Sequence, residues 1–362
     1  NMFFTESLPV GEGAEIRLHH GGTYRVFDRF CLQLLIQIAK RTECLFFKNF
    51  RDGNGVYFFL HWFRPFLFTS IIRKGYNEKG FFKFLRAGEK MVVKKTEGGI
   101  LLQKFEDFDL RHTFDCGQCF RRMAVLSQKG DSVLIENVDL EAFEKDWSRF
   151  LDCGRDYAKI KRTLGCEPVM REAISHGYGI RILRQDFFEC LLSFILSQQN
   201  NIPKIKKAVE AFSERFGTRR EYRGRSYYTF PAAEQVKDLK AKDLAFLKIG
   251  YRDKYIVDAI RKVNSGLVCR EELLSLPYEQ AKKSLMQING VGQKVADCVL
   301  LFSCGRFDAF PVDTWMKKAM LSLYGVKEKE IPVYSGKKFG AYSGFAQQYL
   351  FYYARETKAA AI

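Results

Sequence analysis

The sequence lacks the features that mark membrane proteins and small secreted proteins. Its ten cysteines in 362 residues are too few for the dense disulfide framework of a small secreted domain. No N-terminal stretch combines the basic, apolar and small-residue zones of a signal peptide. The most apolar run, Val56–Ile72, is interrupted by His61, Arg64 and Pro65 and is short for a membrane span. We therefore expect a soluble protein in a reducing compartment, the cytoplasm, with no membrane partner.

Acidic side chains are also in deficit. The chain carries 59 Lys and Arg against 42 Asp and Glu, which gives a formal charge of +17. Such an excess favours anionic partners, of which nucleic acid is the commonest. Charge alone leaves the partner open, because many basic proteins bind no nucleic acid.

The first ninety residues differ in character from the rest of the chain. They hold 15 of the 34 phenylalanines, and their apolar residues follow no sustained period of 2 or 3.6. From Met91 onward the sequence has ordinary caps, turns and periodicity. We hypothesise that Met91 is the natural start and that residues 1–90 are an upstream translation without an evolved fold; the competing interpretation is a divergent extension. Expressing residues 91–362 alone tests this, since loss of folding or activity would contradict it.

Beyond Met91 the patterns indicate an α+β protein. Short apolar runs at Ile100–Leu102 and Val133–Ile135, with a turn at Gly130-Asp131, predict a small antiparallel sheet in an N-terminal module, residues 91–154. Residues 155–362 are predicted to form an all-helical body. Helical spacing is clearest in three segments: Asp186–Leu196, Tyr255–Val263 and Tyr278–Ile288.

The last of these segments opens a helix-hairpin-helix predicted at about 281–303. One helix ends at Ile288, Gly290 and Gly292 turn the chain, and a second helix begins near Gln293. The second helix has free N–H groups and a positive dipole at its start, which suit the binding of a phosphate. Such contacts do not recognise the base sequence. Two glycines in a turn are a weak signal alone, but a stronger one between two helices of a basic protein.

Lys294 falls in the first turn of the second helix, where the helix dipole disfavours a cation. An amine must be neutral to act as a nucleophile, and this position disfavours the ammonium form. Spacing alone nevertheless favours a phosphate contact. Asp313 precedes a predicted helix, Thr314–Tyr324, as its N-cap, and its carboxylate also suits a developing sugar cation; both roles can hold together.

The segment Gly-Val-Gly-Gln-Lys294-Val-Ala-Asp-Cys298, followed by Pro-Val-Asp313, resembles the helix-hairpin-helix DNA glycosylases. The likeness runs from about Asp107 to Arg355. Further segments are similar to the 8-oxoguanine DNA glycosylase branch of that superfamily, in the family's order: Phe114–Arg121, Arg184–Cys190, Ile249–Arg252 and Gly344–Phe351.

The resemblance implies a bifunctional glycosylase and abasic-site lyase of base excision repair that acts on a flipped-out base in duplex DNA. Lys294 would attack the sugar C1′ and form a Schiff base, and Asp313 would stabilise the sugar cation. The base would be bound by Gly117, Gln347, Phe351 and Cys298, with Gly117 accepting the N7–H that distinguishes 8-oxoguanine from guanine. The implied DNA contacts are Gln199, Asn200, Lys204, Tyr251, Arg252, Gly290, Gly292 and Gln293.

The chain departs from the family pattern opposite the lesion. Gln199 and Lys204 stand where many members have Asn and Arg to face the orphan cytosine. Lysine cannot reproduce the bidentate pairing of arginine, which puts strict cytosine preference in doubt. Trp315 stands where eukaryotic members carry His, a resemblance to bacterial members.

No cofactor and no metal are expected. Cys116 and Cys119 have C-x-x-C spacing, but no second pair follows, and the absence of cysteine after Cys304 rejects the iron–sulfur loop of endonuclease III and the adenine glycosylases. Two alternatives stay open. One is another helix-hairpin-helix glycosylase, for 3-methyladenine or oxidised pyrimidines; the other is a non-catalytic, DNA-binding hairpin protein. A monomer is expected.

Overall fold

The computed structural model describes residues 91–121 and 124–357, together with the backbone of five short strands before residue 84. The chain divides into two compact units, Asn1–Glu89 and Lys90–Ile362. In the first unit, four strands are hydrogen-bonded in the order β2-β1-β4-β3. The hypothesis about residues 1–90 otherwise lies outside the described residues. The strands of this unit are β1 Ala14–Arg17, β2 Thr23–Val26, β3 Phe46–Asp52, β4 Gly55–His61 and β5 Phe81–Lys83.

The second unit opens with an antiparallel sheet, which confirms the predicted N-terminal sheet. Its strands are paired in the order β6-β7-β9-β8, and alternate residues such as Ile100 and Val133 are fully buried. This alternation is what a sheet with one face against a core requires. The strands are β6 Val92–Thr96, β7 Gly99–Gln103, β8 Leu126–Lys129 and β9 Ser132–Glu136.

Helices build the rest of the unit, as predicted, apart from the two-stranded ribbon β10 Arg219–Tyr222 and β11 Arg225–Tyr228. Among the described residues, no helix has the length and apolar character needed to cross a membrane. The α-helices are α1 Leu110–Asp115, α2 Leu140–Ala142, α3 Ser148–Phe150, α4 Tyr157–Leu164, α5 Pro168–His176, α6 Phe187–Leu196, α7 Ile202–Phe216, α8 Arg252–Asn264, α9 Arg270–Ser275, α10 Tyr278–Leu285, α11 Gln293–Val299, α12 Thr314–Tyr324, α13 Ile331–Phe339 and α14 Ser343–Thr357.

Local sequence fixes where these helices begin. The carboxylate of Asp186 accepts the amide of Glu189 at the start of α6, and Asn201 caps α7 in the same way. All ten residues of α6 are buried, so this helix is the centre of the helical body, with α8, α11 and α7 packed against it.

The hairpin is formed by α10, the turn after it and α11. The first helix ends at Leu285, three residues before the predicted end. The amides of Gln287 and Ile288 bond three residues back, to Ser284 and Leu285, rather than four. Such bonds tighten a final turn and end an α-helix.

Candidate active site

One cavity brings together side chains from segments far apart in sequence. It measures about 50 Å³, whereas about 150 Å³ holds a benzene molecule in a protein core. A purine is larger than benzene, so the cavity in this structure does not enclose one. Six residues predicted for catalysis or base binding line this cavity: Gly117, Lys294, Cys298, Asp313, Gln347 and Phe351. The remaining lining residues are Cys116, Phe194, Phe302, Pro311 and Gln348.

Lys294 lies in the first turn of α11, half-buried at the cavity wall. Its Nζ donates a hydrogen bond to Ser197 Oγ at 3.0 Å and lies 5.1 Å from the centroid of the Phe194 ring. The Ser197 hydroxyl in turn donates to the carbonyl of Phe194 at 2.7 Å. The amine is therefore held by the C-terminal end of α6.

Asp313 reaches the same cavity from another element. Its Oδ1 accepts the amide of Met316 at 2.8 Å, so it is the N-cap of α12 as the sequence indicates. The cap fixes the side chain in place at the cavity wall. An amine and a carboxylate thus face one small cavity, and both are held by hydrogen bonds.

Another part of the cavity wall is a sharp bend at Gly117. Its φ of +83° is a left-handed conformation that glycine adopts readily, and a Cβ there would lie 3.3 Å from Phe351 Cε1. The buried amide of Gln118 donates to the carbonyls of Thr113 and Arg181, at 2.9 and 2.7 Å. The segment Asp115–Gln118, hereafter the Gly117 strap, is consequently rigid.

Helix α14 supplies Gln347 and Phe351, one turn apart. Gln347 is 5% exposed, and its Oε1 has no hydrogen-bond partner among the described residues. Buried acceptors are nearly always paired, so this one suits a donor from a ligand. Burial raises the pKa of the Cys298 thiol to about 12, although the charge of Lys294 acts in the opposite direction. Cys298 is therefore a neutral, apolar wall.

A second group of predicted residues lies on the loop between α6 and α7 and at the start of α8. Tyr251 is 47% exposed, and its hydroxyl lies 3.4 Å from Gln199 Oε1. The guanidinium of Arg252 donates to the carbonyl of Gln198 and, at 3.3 Å, to that of Gln199. Arg252 thereby shapes this loop in addition to the predicted DNA contact.

The other loop residues have distinct environments. Asn200 Nδ2 donates to the carbonyl of Leu196 at 3.2 Å, which ties the loop back onto α6. Lys204 is exposed in the first turn of α7. Neither residue lines the cavity.

In the hairpin turn the two glycines differ. A Cβ at Gly290, where φ is +79°, would lie 2.2 Å from the Tyr255 ring, whereas one at Gly292 would meet open space. Gly292 and Gln293 are exposed at the start of α11. Gly290 is therefore required by packing, and Gly292 leaves the helix end accessible.

Sequence reasoning missed several residues that hold this site. Asp258, 6% exposed, accepts the amide of Asn289 at 2.7 Å and Lys262 Nζ at 2.7 Å, which fastens the hairpin turn to α8. Ser197 and Gln348 were also missed. Their only signal is their position beside predicted residues, because each acts through a contact distant in sequence.

Comparison with known proteins identifies similar families and structures. Residues 121–191 match the family described as 8-oxoguanine DNA glycosylase, N-terminal domain, and residues 192–339 match HhH-GPD superfamily base excision DNA repair protein. The structure of MBOgg1 in complex with a low-affinity DNA ligand is 43% identical, with a TM-score of 0.72 over 75% of this chain and 100% of that chain.

Two further relatives are similar. The Clostridium acetobutylicum 8-oxoguanine glycosylase/lyase, in complex with double-stranded DNA containing cytosine opposite 8-oxoG, is 41% identical, with a TM-score of 0.71 over 74% of this chain and 98% of that chain. The N-glycosylase/DNA lyase OGG1 of Arabidopsis thaliana is 33% identical over 201 residues, or 51% of this chain and 54% of that protein. The chain thus spans about half the length of this curated relative. It belongs to the 8-oxoguanine DNA glycosylase family, within the helix-hairpin-helix superfamily of base excision DNA repair proteins.

Proposed function

We infer that the protein is a bifunctional DNA glycosylase and abasic-site lyase that removes 8-oxoguanine from duplex DNA. The observation that carries this function is that Lys294 and Asp313 line one cavity together with Gly117, Gln347 and Phe351. Family membership and the DNA-bound relatives support the same substrate class. We propose a monomer.

The geometry supports attack by Lys294 on the sugar. Its amine forms a bond to C1′ while the glycosidic bond breaks and its electron pair leaves on the base nitrogen. The carboxylate of Asp313 stabilises the positive charge that develops on the sugar. Loss of a proton from the attached amine gives an aminal at C1′. The C1′–O4′ ring bond then breaks, O4′ takes a proton, and the nitrogen lone pair forms the protonated Schiff base. Removal of a C2′ proton finally breaks the C3′–O bond, the 3′ phosphate leaves, and the strand is cleaved.

The cavity also supports selection for an oxidised purine. Gln347 Oε1, which has no partner in the part of the chain that the structure describes, is an acceptor and matches the N–H donors on the pairing edge of a guanine-type base. Phe351 and Cys298 present apolar surfaces to the faces of the ring. Together with the Gly117 carbonyl as acceptor for N7–H, these contacts would bind 8-oxoguanine in preference to guanine.

The DNA outside the cavity would be held by the hairpin and by the loop between α6 and α7. We propose that the amides at the start of α11 bind a phosphate and that exposed Tyr251 enters the base stack. Gln199 and Lys204 would face the opposite base, with less preference for cytosine than the Asn and Arg of other members provide. In domain terms, residues 91–154 would support the Gly117 strap and residues 155–362 would carry the chemistry.

Borohydride trapping on an 8-oxoguanine duplex tests the function. The wild type should form a covalent complex and cleave the strand, whereas Lys294→Gln should do neither while still binding DNA. Equal, negligible trapping by both proteins would favour a non-catalytic DNA-binding hairpin. Release of 3-methyladenine without strand cleavage would favour the other glycosylase class.

A further inference from the structure

A third residue of α14 extends the face that carries Gln347 and Phe351. Arg355 follows them at the same four-residue spacing, so all three lie along one side of the helix. Its side chain is 18% exposed, and its guanidinium lies 5.6 Å from the centroid of the Phe351 ring. Arg355 thus lies beside Phe351, which lines the cavity, and does not line the cavity itself.

Arg355 is fixed to the Gly117 strap. Its NH2 group donates to the carbonyl of Asp115 at 2.6 Å, and Gln348 Nε2 donates to the next carbonyl, that of Cys116, at 2.9 Å. Both carbonyls that precede Gly117 are therefore held by α14. The carboxylate of Glu356 holds the other side of the guanidinium, at 3.0 Å from NH2 and 3.2 Å from Nε.

The remaining nitrogen of Arg355 is unused. NH1 is buried without a hydrogen-bond partner in the described part of the chain. It lies 3.5 Å from the point where a Cβ on Gly117 would stand, a point that Phe351 Cε1 approaches to 3.3 Å. A buried cationic donor without an acceptor is unfavourable, and an acceptor brought by a ligand would relieve that cost.

Oxidation of guanine changes the edge that faces the strap. It replaces C8–H by a carbonyl and places a proton on the neighbouring N7, so the edge gains an acceptor beside a donor. A base whose N7–H meets the Gly117 carbonyl brings its C8 oxygen to the same strap. Unmodified guanine has no acceptor at C8.

We propose that Arg355 is a specificity-determining residue, which holds the Gly117 strap and donates through NH1 to the C8 oxygen of the oxidised base. The proposal rests on the proposed function and deepens it. It assigns the recognition of the lesion to a donor and an acceptor, Arg355 and Gly117, acting side by side.

Strand cleavage at a preformed abasic site separates base recognition from chemistry, because it needs Lys294 and the DNA but no base. Single-turnover rates would be measured on an 8-oxoguanine duplex and on an abasic duplex for wild type, Arg355→Leu and Arg355→Lys. Tyr353→Phe is the matched control, since Tyr353 lies on the same helix and bonds Glu172, away from the cavity.

Arg355→Leu should slow base release roughly tenfold or more while abasic-site cleavage stays within about twofold. Arg355→Lys keeps the charge but not the two-point geometry, so a smaller selective loss of about threefold or more is expected; this variant decides the question if Arg355→Leu does not fold. Tyr353→Phe should match wild type on both duplexes.

Unchanged base release in Arg355→Leu, or an equal fall on both duplexes, would overturn the proposal and leave the proposed function intact. If wild type itself releases no 8-oxoguanine, the proposed function fails and this inference fails with it.

Discussion

Lys294 and Ser197 are joined by a 3.0 Å hydrogen bond in which the amine donates to the hydroxyl. Ser197 is the residue directly after α6, and its own hydroxyl proton is directed to the Phe194 carbonyl at 2.7 Å. The hydroxyl can therefore only accept from Lys294. An N–H held in this way fixes the orientation of the amine, which is what a near-attack geometry requires.

Removing the Ser197 hydroxyl should slow formation of the Schiff base. A hydrogen bond of this kind contributes about 0.5–1.5 kcal/mol, so Ser197→Ala should lower the trapping rate by about 2- to 12-fold. Ser197→Thr keeps the hydroxyl and should stay near the wild-type rate. Borohydride trapping under single-turnover conditions measures both, and wild-type kinetics in Ser197→Ala would refute the positioning role.

Gln347→Leu should separate stability from function. Leucine has a similar size and removes an acceptor that is buried without a partner among the described residues, a group that costs the folded state about 1–3 kcal/mol. We expect an unchanged or higher free energy of unfolding and about a tenfold slower release of 8-oxoguanine, with abasic-site cleavage unaffected. Urea unfolding and single-turnover assays check this. A clear loss of stability, or normal base release, would contradict it.

The two hairpin glycines should respond differently to alanine. At Gly290 a Cβ would collide with the Tyr255 ring, and φ is positive. Gly290→Ala should therefore lower the free energy of unfolding by about 2 kcal/mol or more. At Gly292 the space is open, and only a weaker N-cap is introduced, at a cost below about 1 kcal/mol.

DNA binding is the second property, after stability, that should distinguish Gly290→Ala from Gly292→Ala. Gly292→Ala should bind duplex DNA more weakly than wild type although its stability changes little, because the methyl group obstructs close approach of a phosphate. Thermal melting and fluorescence anisotropy would be measured on both variants. Equal destabilisation by the two substitutions would contradict the claim that packing against Tyr255 requires glycine at position 290 only.

Asp258 should stabilise the hairpin in a pH-dependent way. Burial raises its pKa, but hydrogen bonds from Lys262, the Asn289 amide and Arg261 outweigh burial and leave the pKa below its usual value. A lowered folded-state pKa contributes stability that is complete above the unfolded value of about 3.9 and is lost as pH falls through the folded value.

Asp258→Asn should therefore lower the free energy of unfolding by about 1–3 kcal/mol at pH 7, since it removes the charged acceptor of the Lys262 and Asn289 hydrogen bonds. The difference from wild type should persist down to about pH 5 and shrink at pH 3. Urea unfolding at these pH values measures it. A difference that stays constant or grows in acid would exclude the charge as the source.

Much of the fold was predictable because its signals are local. The predicted helix Thr314–Tyr324 is found with the same bounds, and its cap is Asp313 as expected. The predicted end at Ile288 was wrong by three residues, because the bonds that close the final turn depend on how the hairpin packs and not on apolar spacing.

By itself the sequence determined the hairpin, its lysine and the capped aspartate, since helix periodicity, glycine and N-cap residues act over a few positions. Spacing alone favours a phosphate contact for Lys294. Only the tertiary structure decided that it faces a cavity with Asp313, that Ser197 holds its amine, and that Arg355 reaches the Gly117 strap across 240 positions of sequence. These contacts join segments that meet when the helices pack, and no local pattern encodes them.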